Sequence, residues 1–334
     1  SDGPRRNAHC LAPPAAGEDW NAWLAGLQAY RQQVRRQMRG GAGFDDTLYR
    51  RGDQDWMTRN FVCGFVFIYD KSFWDPVQRT YRIEALCEEA RREFGGYDSV
   101  LLWHAYPRLG ADERNQFDFF RDMPGGLEGV RKVVHRFHAQ GVKVFLSYNP
   151  WDKGTRREPR SDIEALAWIV KTLDADGLFM DTMASSMSGL QEALDAARPG
   201  VAIEPEWSPT IEELQRCTGS WAQGLPVVPG HGISHQKWIE QRHMQRQILR
   251  WAKSHRQELA AAWLNGTGIL VWENVFGSWN PWNAQDRAWL RRMAPVWRHF
   301  SSMFSSGQWL PCYPVAAEKV YASAWRQGSV RLWT

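Results

Sequence analysis

Residues 176–183 read Asp-Gly-Leu-Phe-Met-Asp-Thr-Met. A glycine opens an apolar run too short for a helix, and the run stops at a carboxylate, Asp181, ahead of a loop rich in Ser and Met. This is the pattern of a buried parallel strand that carries an acid to a rim. Five other runs end alike. Phe65 to Tyr69 stops at Asp70, Val100 to Trp103 at His104, Val144 to Tyr148 at Asn149, Val201 to Ile203 at Glu204, and Ile269 to Trp272 at Glu273. Six strands thus point polar groups at one place.

Helical segments fill the intervals, over about 80–94, 126–140, 161–173, 186–197 and 209–216. Ser161 followed by Glu164 has the spacing of a capping box, and Pro199-Gly200 is a stop. Strand and helix alternating at this pitch make a parallel sheet, whose functional rim is the carboxyl end of the strands. The 334 residues accommodate a barrel of about 250 residues with insertions. The expected fold class is therefore α/β, a (β/α)8 barrel, regular or distorted, over residues 58–310.

An arm and a helix occupy residues 1–57. Asp19 caps that helix, which runs from about Trp20 to Arg39 with Trp23, Leu27, Tyr30, Val34 and Met38 at steps of three or four. Its other face carries Arg31, Arg35, Arg36 and Arg39, read as a solvated face with phosphate binding as the alternative. Beyond residue 220 the sequence is harder to divide. Leu225 to Val228 reads as a sixth strand, Gln236 to Lys253 as a long helix, 268–272 as a seventh strand and 283–304 as a helix, with no evident eighth strand. Residues 311–334 hold a hairpin around Arg326-Gln327-Gly328 that either begins a β-domain or supplies the missing barrel edge.

The charge balance of 41 Lys+Arg against 37 Asp+Glu is mild and spread along the chain, which argues against a nucleic-acid binder. Five cysteines lie far apart and form no CxxC, so neither a disulfide framework nor a cysteine zinc site is expected. No apolar stretch reaches the about 18 residues of a membrane span. The chain begins Ser-Asp-Gly without an apolar leader, which leans toward a secreted or periplasmic protein whose leader has been removed. The outlier is 20 tryptophans, many beside loop signals, and an indole face suits the C–H faces of a sugar ring.

Cleaving a glycosidic bond requires one carboxyl to protonate the leaving oxygen and a second to attack the anomeric carbon or activate water. The rim acids Asp181, Glu204, Glu206 and Glu273 are the catalytic candidates. Asp70, His104, Asn149 and Asp152 are placed as sugar-hydroxyl ligands, Trp103, Trp151, Trp207 and Trp279 as stacking walls, and Arg108 and Asp112 in a substrate loop after the second strand. His231 and His235 are four apart, but Gly230 and Gly232 make the segment a loop, so no metal is expected, and no cofactor.

The Asp-Gly-Leu-Phe-Met-Asp stretch resembles the fourth-strand nucleophile motif of (β/α)8 glycoside hydrolases of the α-galactosidase, α-glucosidase and α-amylase group. The resemblance covers the layout of about residues 61–300 and only short motifs in sequence. It implies that Asp181 attacks the sugar, with Glu204 or Glu206 after the fifth strand as acid/base and Glu273 as a later supporting acid. Phe179 stands where amylases place an arginine, Glu273-Asn274 replaces their later His-Asp pair, and the lysine flanking the nucleophile of the α-galactosidases is missing. The expected activity is hydrolysis of an oligosaccharide or glycoconjugate by rim carboxylates. Alternatives are an inverting, sialidase-like hydrolase of acidic sugars that uses His104 and rim arginines, and a non-catalytic carbohydrate-binding barrel.

Overall fold

In the computed structural model, which describes residues 10–104, 106, 112–223 and 232–334, the barrel strands are β1 (Val62–Phe67), β2 (Ser99–Trp103), β3 (Lys143–Tyr148), β4 (Gly177–Met180), β5 (Ala202–Pro205), β6 (Gly219–Gln223), β7 (Met244–Ile248) and β8 (Gly268–Val271). They form one parallel sheet in the order β5-β4-β3-β2-β1-β8-β7-β6. The two end strands, β5 and β6, pack side by side without a hydrogen-bonded ladder, so the barrel is nearly closed.

The helices form where their end signals lie. Asp19 accepts the Ala22 amide at 2.8 Å and starts α1 (Trp20–Gln37). Next come α2 (Ile83–Phe94) and α3 (Gly126–Ala139). The capping box of Ser161 and Glu164 opens α4 (Asp162–Leu173), which is followed by α5 (Leu190–Ala197), α6 (Arg256–Asn265) and α7 (Ala284–His299).

The expectation fails between residues 209 and 253. The helix foreseen at 209–216 is a single 3-10 turn, Glu213–Arg216. The sixth strand is Gly219–Gln223, whereas the Leu225 to Val228 candidate lies outside the described residues, as does His231. The long helix foreseen over Gln236 to Lys253 is a short helix, His235–Ile239, followed by β7. Both strands are polar in sequence, Gly-Ser-Trp-Ala-Gln and Met-Gln-Arg-Gln-Ile, because buried partners absorb their polar groups. Gln245 bonds Ser234 at 2.5 Å and Ser208 at 3.0 Å, and Ser220 bonds His243 at 2.8 Å. With β6 and β7 counted, β8 carries Glu273, one strand later than its expected place.

Strand side chains alternate between the barrel interior and the surrounding helices. One interior level holds Phe145 of β3, Glu204 of β5 and Arg246 of β7, with the Arg246 guanidinium 5.8 Å from the Phe145 ring. Arg246 Nε donates to Glu204 at 2.6 Å and a second nitrogen donates to the Asn60 carbonyl at 2.8 Å. Gly177, on the inward parity of Phe179, leaves room for this level, since a Cβ there would lie 2.3 Å from the Phe145 ring. Above sits a level drawn from the even strands, Trp103, Phe179, Trp221 and Trp272. Phe65 closes their circuit, 4.0 Å from Trp272 and 5.4 Å from Trp103 between ring centroids.

The C-terminal hairpin supplies no barrel edge. Its strands β10 (Ala324–Gln327) and β11 (Val330–Trp333) pair with β9 (Gln308–Leu310) in a separate three-stranded antiparallel sheet. Trp325 stacks on Trp309 with centroids 5.0 Å apart and belongs to the same hydrophobic core as the barrel interior. No helix among the described residues is long and apolar enough to cross a membrane.

Glu204 and Arg246 are both fully buried, so removing either leaves a charge without its partner. Arg246→Met is expected to lower the unfolding free energy by about 3–5 kcal/mol, and adding Glu204→Leu to restore most of it, as read by urea denaturation. Equal stability of the single and double variants would contradict this role.

Candidate active site

Interior parity sorts the strand-end residues. Phe179 points inward, so Asp181, two residues on, does as well, and Glu206 follows Glu204 on β5 in the same way. These two carboxyls meet above the aromatic level, within hydrogen-bonding reach of each other. Asp181 is 5% exposed and Glu206 7%. Trp151 Nε1 donates to Asp181 at 3.1 Å. Glu206 accepts from the Thr182 amide at 2.7 Å, from the Gln223 side chain at 2.5 Å and from the Arg250 guanidinium at 2.8 Å. Thr182 reaches that position with φ at 56°, a left-handed conformation that a β-branched residue adopts only under strain. The backbone directly after Asp181 is thus bent so that its N–H serves the partner carboxylate.

The electrostatics are asymmetric. Burial pushes the Asp181 carboxyl up to about 7, helped by the hydrogen bond and the charge of Glu206 and opposed by the Trp151 N–H. Burial acts on Glu206 in the same sense, but the Asp181 hydroxyl, the Thr182 amide, Gln223 and Arg250 outweigh it and hold Glu206 below the usual range. Near neutral pH the Asp181 carboxyl is thus about half protonated beside an ionised Glu206, and the proton the pair holds sits on Asp181.

Aromatic rings surround the pair. Tyr106 lies 5.3 Å from each of Trp103, Trp151 and Phe276, and Phe276 lies 5.1 Å from Trp272. Arg250 spans 4.9 Å to the Trp272 ring. Burial, with the nearby Asp181 charge, pushes the Tyr106 hydroxyl well above its ordinary range, so it stays protonated.

The other sequence candidates are distributed elsewhere. Glu204 lies one level deeper, bound to Arg246, where burial raises its carboxyl. Glu273 has the outward parity opposite to Trp272. It bonds the Trp282 amide at 2.8 Å and Arg287 at 2.6 Å, and with Asp70 and Trp279 lines a separate cleft of about 90 Å³ between β1, β8 and α2. His104 is outward too, packed on Phe119 and Phe120 behind the sheet, so a reading that relies on it for acidic sugars loses its residue. Asp152 accepts the Gln116 amide at 3.0 Å and the Thr155 hydroxyl, which makes it a staple of its loop. Asp112 pairs with Arg114 at the surface. Trp207 directly follows Glu206 and is 57% exposed. Arg108 lies outside the described residues. Asn149 continues the inward parity of Phe145 and Ser147. Its buried side-chain amide has no hydrogen-bond partner among the described residues.

Sequence reasoning missed Gln223 and Arg250, because β6 and β7 did not read as strands. The usable signal was spacing. Gln223 stands two residues after the inward Trp221, and Arg250 four after the inward Arg246.

No protein-family model matches this sequence, and no curated protein is similar to it. Its fold is similar to solved structures. One is a quadruple mutant of the α-N-acetylgalactosaminidase NagBb from Bifidobacterium bifidum, with a TM-score of 0.51 and 13% identity over 93% of this chain and 63% of that one. Another is a cyclomaltodextrinase, with a TM-score of 0.54 and 12% identity over 84% and 70%. A third is a debranching enzyme from Nostoc punctiforme, with a TM-score of 0.54 and 11% identity over 84% and 87%. The chain thus spans less than two thirds of the length of NagBb. At these identities the likeness establishes the (β/α)8 barrel.

Titration of the Asp181 carboxyl, followed by carbon NMR of labelled aspartate, is expected to show a midpoint of about 7. Glu206→Gln removes the neighbouring charge and should move that midpoint down, while Trp151→Phe removes a donor to the carboxylate and should move it up. An unchanged midpoint in both variants would sever the coupling inferred from the geometry.

Proposed function

We propose that this protein is a retaining glycoside hydrolase in which Asp181 attacks the anomeric carbon and Glu206 protonates the leaving oxygen. The observation that carries the reading is the carboxyl pair itself, delivered by adjacent strands, buried, and joined by the Thr182 amide beside the Trp151 ring. The names of the solved structures with a like fold, an α-N-acetylgalactosaminidase, a cyclomaltodextrinase and a debranching enzyme, favour a carbohydrate substrate.

The resting proton sits on the wrong partner for this assignment, and the site contains the means to move it. Apart from burial, the causes that raise Asp181 are the hydrogen bond and charge of Glu206. A sugar ring inserted between the two carboxyls removes both, so Asp181 ionises more readily while retaining the Trp151 N–H. Glu206 simultaneously loses the Asp181 hydroxyl, the largest of the contacts that depress it, and takes up the proton. Insertion of substrate thus converts the singly protonated form of the pair into a nucleophile and an acid without net proton exchange with solvent. Carboxyls in contact at rest need to part only slightly to reach the spacing of about 5 Å of retaining enzymes, whereas inversion requires about 6.5–9.5 Å.

Trp151 and Phe276, both partly exposed, offer apolar faces near the pair, and two further exposed indoles, Trp207 and Trp251, follow the ends of β5 and β7 in sequence. An oligosaccharide or glycoconjugate, longer than one sugar, fits such a rim.

The test is leaving-group dependence. Glu206→Gln should retain hydrolysis of glycosyl fluorides, whose departure needs no acid, and lose about 10²- to 10⁴-fold on unactivated glycosides. Asp181→Asn should lose both activities. The reverse pattern would exchange the two roles, and full activity of both variants would remove the pair from the chemistry.

A further inference from the structure

Away from the barrel mouth, α1 presents Gln28, Arg31, Gln32 and Arg35 at steps of three and four, one continuous stripe of donors. The stripe forms one wall of an open cleft of about 410 Å³ whose opposite side includes Trp238 and Gln308, with Gln28, Gln32 and Gln308 exposed in it. That volume is in the range of small-molecule sites and exceeds what a bare inorganic anion fills.

The cations around this cavity outnumber the anions. Arg242 holds Glu240 through two bonds of 2.7 and 2.8 Å and reaches Asp46 at 2.9 Å, while Arg50 also takes Asp46, at 3.2 Å. Arg35 is left with the remaining reach of the same two carboxylates, 3.1 Å to Glu240 and 3.9 Å to Asp46. Arg31 has none. Its Nε donates to the Ile239 carbonyl at 3.3 Å and its guanidinium lies 5.9 Å from the Trp238 ring, and no carboxylate among the described residues pairs with it. Burial lowers the Arg31 pKa, and the neighbouring Arg35 and Arg242 lower it further, against the pull of Glu240. A half-buried guanidinium whose two terminal nitrogens bond no group among the described residues, beside two glutamine amides and an indole, is a donor set for an oxyanion attached to a body with hydroxyls.

We infer that the cavity between α1 and the Trp238 and Gln308 segments binds a monosaccharide-sized anion, a sugar bearing a phosphate or a carboxylate, with the oxyanion on Arg31 and the hydroxyls on Gln28, Gln32 and Gln308. The site is separate from the carboxyl pair and does not depend on what that pair does.

Calorimetric titration of the whole protein at low salt with glucose 6-phosphate, glucuronate, glucose and inorganic phosphate tests the inference. Binding of at least one of the two anionic sugars is expected, with none of glucose, and with weakening as salt rises. Glucose 6-phosphate alone would identify a phosphate ester as the source of the oxyanion, and glucuronate alone a carboxylate. Arg31→Gln should weaken binding by about tenfold or more, the value of a charge-assisted bond. Gln28→Glu, which leaves Arg31 in place but gives it a carboxylate three residues away, should weaken it similarly. The unfolding midpoint of each variant reports that the fold is intact. The inference is overturned if neither anionic sugar binds, if both variants bind like the parent, or if inorganic phosphate binds as tightly as the sugar anions.

Discussion

The aromatic level formed by Trp103, Phe179, Trp221 and Trp272, closed by Phe65, governs what lies above and below it. Below, it seals the Glu204–Arg246 ion pair, which gains its strength only where water is excluded. Above, it makes the floor on which Asp181 and Glu206 stand, so that burial is the largest influence on both carboxyls. Were that floor open to water, the two acids would ionise independently and neither would be a proton donor at neutral pH. The barrel thus holds two stacked environments, an ion pair underneath and a coupled carboxyl pair on top.

Asymmetry between the two acids comes from what each strand delivers. Asp181 ends β4 with one donor, the Trp151 indole, whereas Glu206 extends beyond β5 into a nest built by Thr182, Gln223 and Arg250. The strained turn at Thr182 couples the two, since the residue after Asp181 donates to Glu206. A displacement of one carboxyl is therefore transmitted to the other through a single peptide unit.

Much of the barrel and the place of Asp181 at the end of β4 were legible because β1 to β5 and β8 are apolar runs separated by helices with recognisable caps. Two things were not. Strands buried on both faces carry no alternation, so their sequence does not say which end residue looks inward. That is why Glu273, His104 and Asp70 were grouped with Asp181, although the first two have outward parity and Asp70 shares an outer cleft with Glu273. The second obstacle was polarity. Gly219–Gln223 and Met244–Ile248 conceal Ser220, Gln245 and Arg246 in buried hydrogen bonds, and without those partners the segments do not look like strands. Glu206 could be named but not preferred over Glu204, since the two share a parity and differ only in depth. The arginine stripe of α1 was likewise visible, but the cavity facing it depends on segments some two hundred residues further along the chain.

The claim that Asp181 is the attacking group is tested most directly by trapping. A panel of activated 2-deoxy-2-fluoro glycosides should inactivate the protein with the mass gain of one fluoroglycosyl unit, and peptide mapping should place the label on Asp181. A label on Glu206, or steady hydrolysis of the panel with no adduct formed, would contradict the account.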